Sequence, residues 1–507
     1  MLTEWRGVPI ESDGTGFLRI GTRLRVVGEL IQETLHLDGP ESALQVVLEA
    51  QCCTTLARRA AVEFGSVDEL KAWLRETQSV AWVVVPAWHE SHVFVVDGSS
   101  VTWSSAPCAV ELRDASRRYI DALAAVSSLQ NRNHPGAAEL RAAKAAGDAL
   151  AKRIMPPEVV AGIGTAEHAF CVGSGLIGGF PVSSLPLPGG EGKMLGEAVA
   201  VSVTSSLPLV QRTAQREAVQ RQAVAAADQS LRNRVMLAAT LTPGEAFAAR
   251  NRLSIDADQK SPTGVSWTEV VSALPANTVR LLGPEATIPA LRSVLQAREQ
   301  PFSLAVLVAH GEAAGRDREA ALGLSPSRSG AAGRGQMTDD KTLGSRSDGV
   351  LTSSELATLP MASAVVLASC RSGLGTSRLG DDAVGGGLAG ACLEAGSVCV
   401  VASRVPQRLS LFRRIAVRFS EELLAGVPAA EALRRARLAS SSSARETLAA
   451  AQVELFGGGQ FRLAASPRGA GVLLVWVGGG LGALVLLLWF RAPWFRTRRA
   501  RSASRRS

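Results

Sequence analysis

Two short apolar runs decide the fold: residues 303–311 read SLAVLVAHG, and residues 365–373 read VVLASCRSG. Each is a continuous apolar stretch of strand length, which is typical of a strand covered on both faces. Similar runs lie at 235–240, 278–282 and 397–403, and helical patterns separate or follow them. The sequence therefore predicts an α/β fold with a mostly parallel sheet flanked by helices.

The rest of the chain divides into segments by its pattern. Residues 1–65 read as a helical N-terminal segment, and residues 66–232 as strands combined with long helices. Ser66, with Glu69 three residues later, predicts a capped helix start. Residues 233–465 contain the alternating strands and helices of a core, including a helical pattern at 429–446.

The basic charge of the chain is confined to one end. The chain has 507 residues and a formal net charge of +8, which raises the question of nucleic-acid binding. Seven arginines and no acidic residue lie in the tail 491–507, so the remainder is close to neutral. We therefore expect no nucleic-acid partner.

An uncharged stretch, 469–490, precedes this Arg-rich tail. A helix of its 22 residues would extend about 33 Å, enough to cross a bilayer. The sequence predicts a single C-terminal transmembrane helix, with a buried core helix as the alternative. Gly478 and Gly482 form a GxxxG pattern through which two such helices could dimerise.

Compartment and orientation follow from the chain ends and the thiols. The N-terminus lacks the basic and apolar regions of a secretory signal, and the seven cysteines form no CxxC pair. Free thiols are typical of a reducing compartment. We expect a tail-anchored membrane protein with its catalytic domain in the cytoplasm. The positive-inside rule favours the opposite orientation, and an exported protein with a C-terminal sorting signal is a further alternative.

Each quoted stretch has an apolar part that is followed directly by a residue with a reactive side chain. His310 follows 303–309, and Cys370 follows 365–369. Because the carboxyl ends of adjacent parallel strands meet at one edge of a sheet, the imidazole could accept the thiol proton. The amides of Gly311 and Cys370 would then be placed to stabilise an oxyanion. The alternative is that both residues are structural, as most isolated cysteines after a buried strand are.

At this point the sequence resembles a known family. Residues of roughly 65–465 resemble a CHAT domain, the caspase-like peptidase domain of the caspase/separase clan. The motifs that carry the resemblance lie at 66–88, 170–185, 279–287, 304–311, 348–375 and 379–403. The resemblance implies a caspase-like cysteine endopeptidase in which Cys370 attacks the scissile carbonyl and His310 protonates the leaving amine.

The resemblance also indicates where a substrate side chain would bind. Asp381 and Asp382 match the position of the Gly-Asp segment of the family, where carboxylates could favour Arg or Lys before the cut. The alternative is that they are favourable acids at a helix N-terminus. Arg404 lies where the family often has a Trp followed by an acid, and near the pocket it would oppose a basic residue.

A pocket that prefers arginine would make the loop 325–347 a candidate for self-cleavage. This loop is rich in Gly, Ser and Arg, and Arg328, Arg334 and Arg346 are the candidate sites. A protein substrate and a sensor or activator partner are expected. The alternative hypothesis to a peptidase is a catalytically silent CHAT-fold scaffold or interaction module at the membrane.

No cofactor or metal ion is expected. His89 and His92 form an HxxH pattern, but residues three apart on a strand point to opposite faces.

Overall fold

The computed structural model describes eleven segments of the chain: residues 16–52, 65–129, 136–173, 179–190, 192–215, 234–240, 268–297, 302–313, 319–326, 349–374 and 387–463. The stretch 469–490 and the tail 491–507 lie outside them. Within the described segments, no helix combines the length and the apolar character needed to cross a bilayer.

The strands form one large sheet and one small sheet. They are β1 Ser79–Val85, β2 Ser91–Val96, β3 Val101–Ala106, β4 His168–Gly173, β5 Ala200–Thr204, β6 Val235–Ala239, β7 Val279–Leu282, β8 Leu304–Val308, β9 His310–Glu312, β10 Ala321–Gly323, β11 Val350–Thr352, β12 Ala364–Ala368, β13 Cys399–Ser403 and β14 Val453–Gly457. The eleven-stranded sheet has the order β3-β2-β1-β4-β5-β14-β13-β12-β8-β6-β7, and the small sheet has the order β11-β10-β9.

Helices surround the large sheet. They are α1 Gly16–Leu37, α2 Gly39–Gln51, α3 Val67–Glu76, α4 Ala109–Leu129, α5 Ala137–Ile154, α6 Pro157–Thr165, α7 Leu195–Ala198, α8 Thr268–Ala273, α9 Ile288–Gln296, α10 Ser353–Leu356, α11 Leu388–Glu394, α12 Leu409–Leu424, α13 Ala429–Ser440 and α14 Ala444–Ala450. Residues 207–215 are also helical.

Nine strands of the large sheet form two parallel halves that run in opposite directions, and β2 and β3 extend the sheet antiparallel beside β1. In the first half, β1, β4, β5 and β14 are parallel. In the second half, β13, β12, β8, β6 and β7 are parallel. The halves meet where β14 pairs antiparallel with β13. The predicted mostly parallel α/β sheet is confirmed, but the sequence analysis did not identify β14.

The sheet is buried on both faces because side chains alternate along each strand. In β8, Ala305 and Leu307 belong to the core on the face of α9 and α11. Leu304, Val306 and Val308 belong to the core on the face of α12 and α13. Apolar side chains are therefore needed at every position, which explains the continuous apolar run.

Helix ends follow local capping chemistry. The Ser66 hydroxyl accepts a hydrogen bond from the Glu69 amide at 3.1 Å, so the predicted start of α3 is confirmed. The predicted helix over 429–446 is instead two helices, α13 and α14. Ser443 caps the second one by accepting from the Glu446 amide at 3.3 Å. A cap residue competes with helix continuation, which explains the break.

Candidate active site

The second half of the sheet brings His310 and Cys370 to one edge. β8 and β12 are parallel neighbours, and their last paired residues are Val308 and Ala368. His310 and Cys370 each lie two residues beyond this pair, so they occupy equivalent positions at the carboxyl edge. Both side chains are half-buried. The two strands are therefore adjacent, which is the condition for His310 and Cys370 to lie near each other.

His310 is held by two sheets at once. One residue after β8, the chain enters β9, where His310 pairs antiparallel with Gly323 of β10. The end of β8 is fixed by the Thr240 amide, which donates to the Val308 carbonyl at 2.9 Å. The backbone of His310 is therefore held between the end of β8 and the small sheet.

Cys370 begins a tight turn that runs to Leu374. Arg371 has a φ of 56°, in the left-handed region that side chains other than glycine rarely adopt. Such a conformation persists only where the surroundings determine it. Here the Leu374 amide closes the turn by donating to the Arg371 carbonyl at 3.1 Å.

Ser372 is the internal support of this turn and is fully buried. Its hydroxyl lies 3.1 Å from the carbonyl oxygen of Leu367 and 2.9 Å from that of Ser369. It also accepts a hydrogen bond from the Ser403 amide at 3.3 Å. The Ser403 carbonyl in turn accepts from the Gly373 amide at 2.8 Å. The end of β13 thus holds the turn through both backbone groups of one residue.

Gly311 allows the chain after β8 to touch the chain after β12. A Cβ at this position would clash with the carbonyl oxygen of Cys370 and would lie 3.0 Å from Cβ of Ser369. The glycine after the histidine is therefore required for this close approach. The sequence predicted Gly311 as an oxyanion donor, and the structure adds a packing reason for a glycine at this position.

The environment of Cys370 contains candidate hydrogen-bond donors. Among the hydrogen bonds of the described residues, none is donated by the Cys370 amide. Gly311 lies in register with Leu322 of β10. The Ser369 hydroxyl is buried next to Gly311 and has no hydrogen-bond partner. The Ser369 hydroxyl and the Cys370 amide are therefore candidate donors at this edge of the sheet.

Arg404 does not line an open pocket. It is 1% exposed, and its guanidinium pairs with the carboxylate of Glu454, which is fully buried. The sequence analysis expected Arg404 near the substrate, where its charge would oppose a basic residue. That expectation is wrong because the charge is turned inward and balanced by Glu454.

Several expected site residues cannot be placed. Asp381 and Asp382 lie outside the described residues. The same holds for the candidate cleavage residues Arg328, Arg334 and Arg346, and for Gly478 and Gly482.

Two further thiols, Cys171 on β4 and Cys392 on α11, and the imidazole of His168 on β4 are buried. Burial raises the pKa of the Cys171 and Cys392 thiols far above the usual range. Burial also lowers the pKa of His168 to about 3, so this imidazole is neutral. His168 contacts the hydroxyls of Ser202 at 3.0 Å and Ser79 at 3.4 Å. These groups are packed parts of the fold.

The HxxH pattern divides between a turn and a strand. His89 is exposed, whereas His92 is buried in β2 and accepts a hydrogen bond from Trp103 Nε1 at 3.3 Å. Burial lowers the pKa of His92. Across the described segments, no three His, Cys, Asp or Glu side chains are grouped to hold a metal ion.

Comparison with known proteins identifies the family. The model of the CHAT domain matches residues 144–467, more than half of the chain. The chain belongs to the CHAT domain family. The match includes β8, β12 and the turn after Cys370, so the candidate site lies inside the CHAT domain. No curated protein matches the chain.

Solved structures are similar to the chain at low sequence identity. The Saccharomyces cerevisiae separase–securin complex matches with 9% identity and a TM-score of 0.50, over 90% of this chain and 34% of that chain. The Arg-specific cysteine proteinase gingipain R matches with 10% identity and a TM-score of 0.37, over 63% of this chain and 68% of that chain. The CHAT protein thus spans about a third of the separase chain.

Three supporting residues were not found from the sequence. Ser372 is visible only as a small polar residue between Cys370 and Gly373. Glu454 and Phe456 lie on the unpredicted β14, which places them behind the turn. The signal that could have found them is a charged residue inside an apolar run, VELFG, which requires a buried partner.

Proposed function

We propose that this CHAT protein is a cysteine endopeptidase that uses Cys370 and His310 for regulated cleavage of a protein substrate. The observation that carries the proposal is the equivalent placement of the two residues after β8 and β12. The packing of Gly311 against the Cys370 carbonyl supports it, because it brings the two loops together.

The reaction would proceed in two proton-balanced stages. His310 accepts the Cys370 proton, and the thiolate attacks the scissile carbonyl to form a tetrahedral oxyanion. The C–N bond then breaks, and His310 gives the proton to the leaving amine. Water, deprotonated by His310, attacks the thioester, and the thiol is regenerated with the returned proton. The amides of Cys370 and Gly311 are the proposed donors to the oxyanion.

Labelling with a peptidyl electrophile tests this function. We expect covalent labelling of the purified chain, lost in Cys370→Ala and strongly reduced in His310→Ala. Cys108→Ala is the matched control, because Cys108 is also half-buried but lies far along the chain from the site. Absence of Cys370-dependent labelling under activating conditions would instead favour a silent CHAT scaffold that binds partners.

The proposed substrate preference is Arg or Lys before the cut, set by Asp381 and Asp382. The pairing of Arg404 with Glu454 supports it, because a buried and balanced charge does not repel a basic side chain. Cleavage at Arg328, Arg334 or Arg346 would then process the chain itself. New termini mapped after incubation should follow these residues, and Cys370→Ala should stay intact. An unprocessed loop in an active enzyme contradicts self-cleavage.

We also propose that residues 469–490 anchor the protein in a membrane with the catalytic domain on the cytoplasmic side. Its 22 uncharged residues are the support. The same proposal includes a dimer formed through Gly478 and Gly482. It also includes a partner protein that acts as a sensor or activator. Tags at both chain ends, probed with protease in spheroplasts, should show a protected N-terminal tag. A cleaved N-terminal tag would reverse the orientation.

A further inference from the structure

A buried ion pair lies directly behind the Cys370 turn. Arg404 follows the last residue of β13, and Glu454 lies on β14 opposite Ala402. Both side chains are fully buried, and Arg404 Nε donates to Glu454 Oε2. Glu454 Oε1 accepts a further hydrogen bond from the Ser183 amide at 3.1 Å. The carboxylate therefore joins the two halves of the sheet.

Stability alone does not explain this pair. Removing two charges from water is costly, and apolar residues of similar volume often stabilise a fold as well or better. A third buried charge increases the desolvation cost here, because Arg437 is also buried. It donates to the Val453 carbonyl at 2.8 Å. A role in placing other groups would account for a buried cluster of this kind.

The ion pair reaches the catalytic turn through an aromatic ring. The guanidinium carbon of Arg404 lies 4.9 Å from the centre of the Phe456 ring, the distance of a cation–π contact. The edge of that ring lies against Gly373, where a Cβ would be 2.8 Å from Phe456 Cζ. Gly373 is three residues after Cys370 and hydrogen-bonds to Ser403, the residue before Arg404.

The turn needs such support because it is strained. Arg371 is held in the left-handed region, and a relaxed turn would move the Cys370 side chain relative to His310. Ser403, Arg404 and Phe456 close around the turn from one side. The connections therefore run from Ser183 through Glu454 and Arg404 to Phe456 and the turn.

We infer that Arg404, Glu454 and Phe456 are positioning residues that hold the Cys370 turn in its reactive conformation and link it to the first half of the sheet. This inference rests on the proposed Cys370–His310 function. It predicts that loosening the network slows the reaction of Cys370 while the chain remains folded.

The test is the rate at which iodoacetamide alkylates Cys370 at pH 6.5, measured by mass spectrometry in the purified full-length chain. An unassisted thiol is almost entirely protonated at this pH, so the rate reports assistance by His310. Cys108 in the same sample is the internal reference. Comparing wild type with His310→Ala establishes the assisted rate first.

Phe456→Leu is compared with Phe419→Leu, which removes an equally buried ring from the core on the face of α12 and α13. We expect Phe456→Leu to reduce the assisted rate by about tenfold to a hundredfold, since misplacement by about 1 Å can cost a hundredfold. Phe419→Leu should stay within about twofold of wild type, because Phe419 belongs to the core on the other face of the sheet from Phe456.

The ion pair is tested by the double variant Arg404→Met with Glu454→Gln. It removes both charges of the pair together and keeps an acceptor for the Ser183 amide. We expect a reduction similar to that of Phe456→Leu, with Cys108 labelling unchanged.

The outcomes separate the two proposals. If His310→Ala has no effect on Cys370, the proposed function fails, and the inference fails with it. If His310→Ala slows Cys370 but the network variants react like Phe419→Leu, only the positioning role is overturned. Urea unfolding of each variant confirms that the folded chain was compared.

Discussion

His168 and Cys171 lie within β4 in the first half of the sheet, whereas His310 and Cys370 follow β8 and β12 in the second half. The first set is completely buried, which raises the pKa of the thiol and lowers that of the imidazole to about 3. The second set is half-buried at the carboxyl edge. The same two residue types thus differ in exposure because of their position relative to the strand end.

The largest contrast is expected from the two imidazoles. His310→Ala should slow labelling of Cys370 by a peptidyl electrophile about a hundredfold or more, the usual contribution of a general base. His168→Gln should leave the rate within about twofold, because its partners are Ser79 and Ser202 rather than a reactive group. Equal losses in the two variants would remove the distinction between the sets.

A substitution at Gly311 can break the contact between the chain after β8 and the chain after β12. Gly311→Ala places a methyl group against the Cys370 carbonyl, so we expect at least a tenfold loss of labelling and a free energy of unfolding lower by about 1–3 kcal/mol. The matched control is Gly164→Ala, where no atom lies within 4 Å of the added Cβ. A fully active Gly311→Ala would show that the loops need not touch.

A smaller effect is expected at the Cys370 turn. Ser372→Ala leaves the Ser403 amide without its acceptor, so unfolding should require about 1–2 kcal/mol less and labelling should fall several-fold. Ser116→Ala also removes a buried hydroxyl, but this one has no hydrogen-bond partner. We expect a change within about 0.5 kcal/mol for Ser116→Ala in urea unfolding. Similar losses for both variants would contradict a special role of Ser372.

The smallest expected effect is a pH dependence of the free energy of unfolding that arises from the buried His168. His168 has a lowered folded pKa of about 3, so the unfolded chain binds a proton more readily than the folded chain below about pH 6.5. The stability due to neutral His168 is fully present above pH 6.5 and is lost as pH falls towards 3. Between pH 7.5 and 5.5, urea unfolding should show a loss about 1 kcal/mol larger in wild type than in His168→Gln. Parallel pH profiles would mean that His168 is accessible.

The candidate dyad could be predicted from sequence because its signal is local. Each residue ends an apolar run, and parallel strands align their carboxyl ends, so pairing β8 with β12 was enough to bring the loops together. The environment of Arg404 could not be predicted in this way. Its partner Glu454 is 50 residues away and is the second residue of β14, where a charge weakens the apolar strand pattern.

The left-handed Arg371 was equally hidden from sequence. An arginine carries no signal for this conformation, which is imposed by hydrogen bonds from Ser372, Ser403 and Leu374. The small sheet that fixes His310 was also missed, because its three-residue strands are too short to show a period.

The position of β14 has a consequence for the order of folding. It is the last described strand in the chain, yet it lies between β5 and β13 at the centre of the large sheet. Until residues 453–457 have been synthesised, β5 and β13 lack the strand that lies between them in the folded sheet. The Cys370 turn of a growing chain therefore gains its contact with Phe456 only after β14 has been inserted. Premature termination before β14 would release a chain with the dyad residues but without the ring and carboxylate behind them.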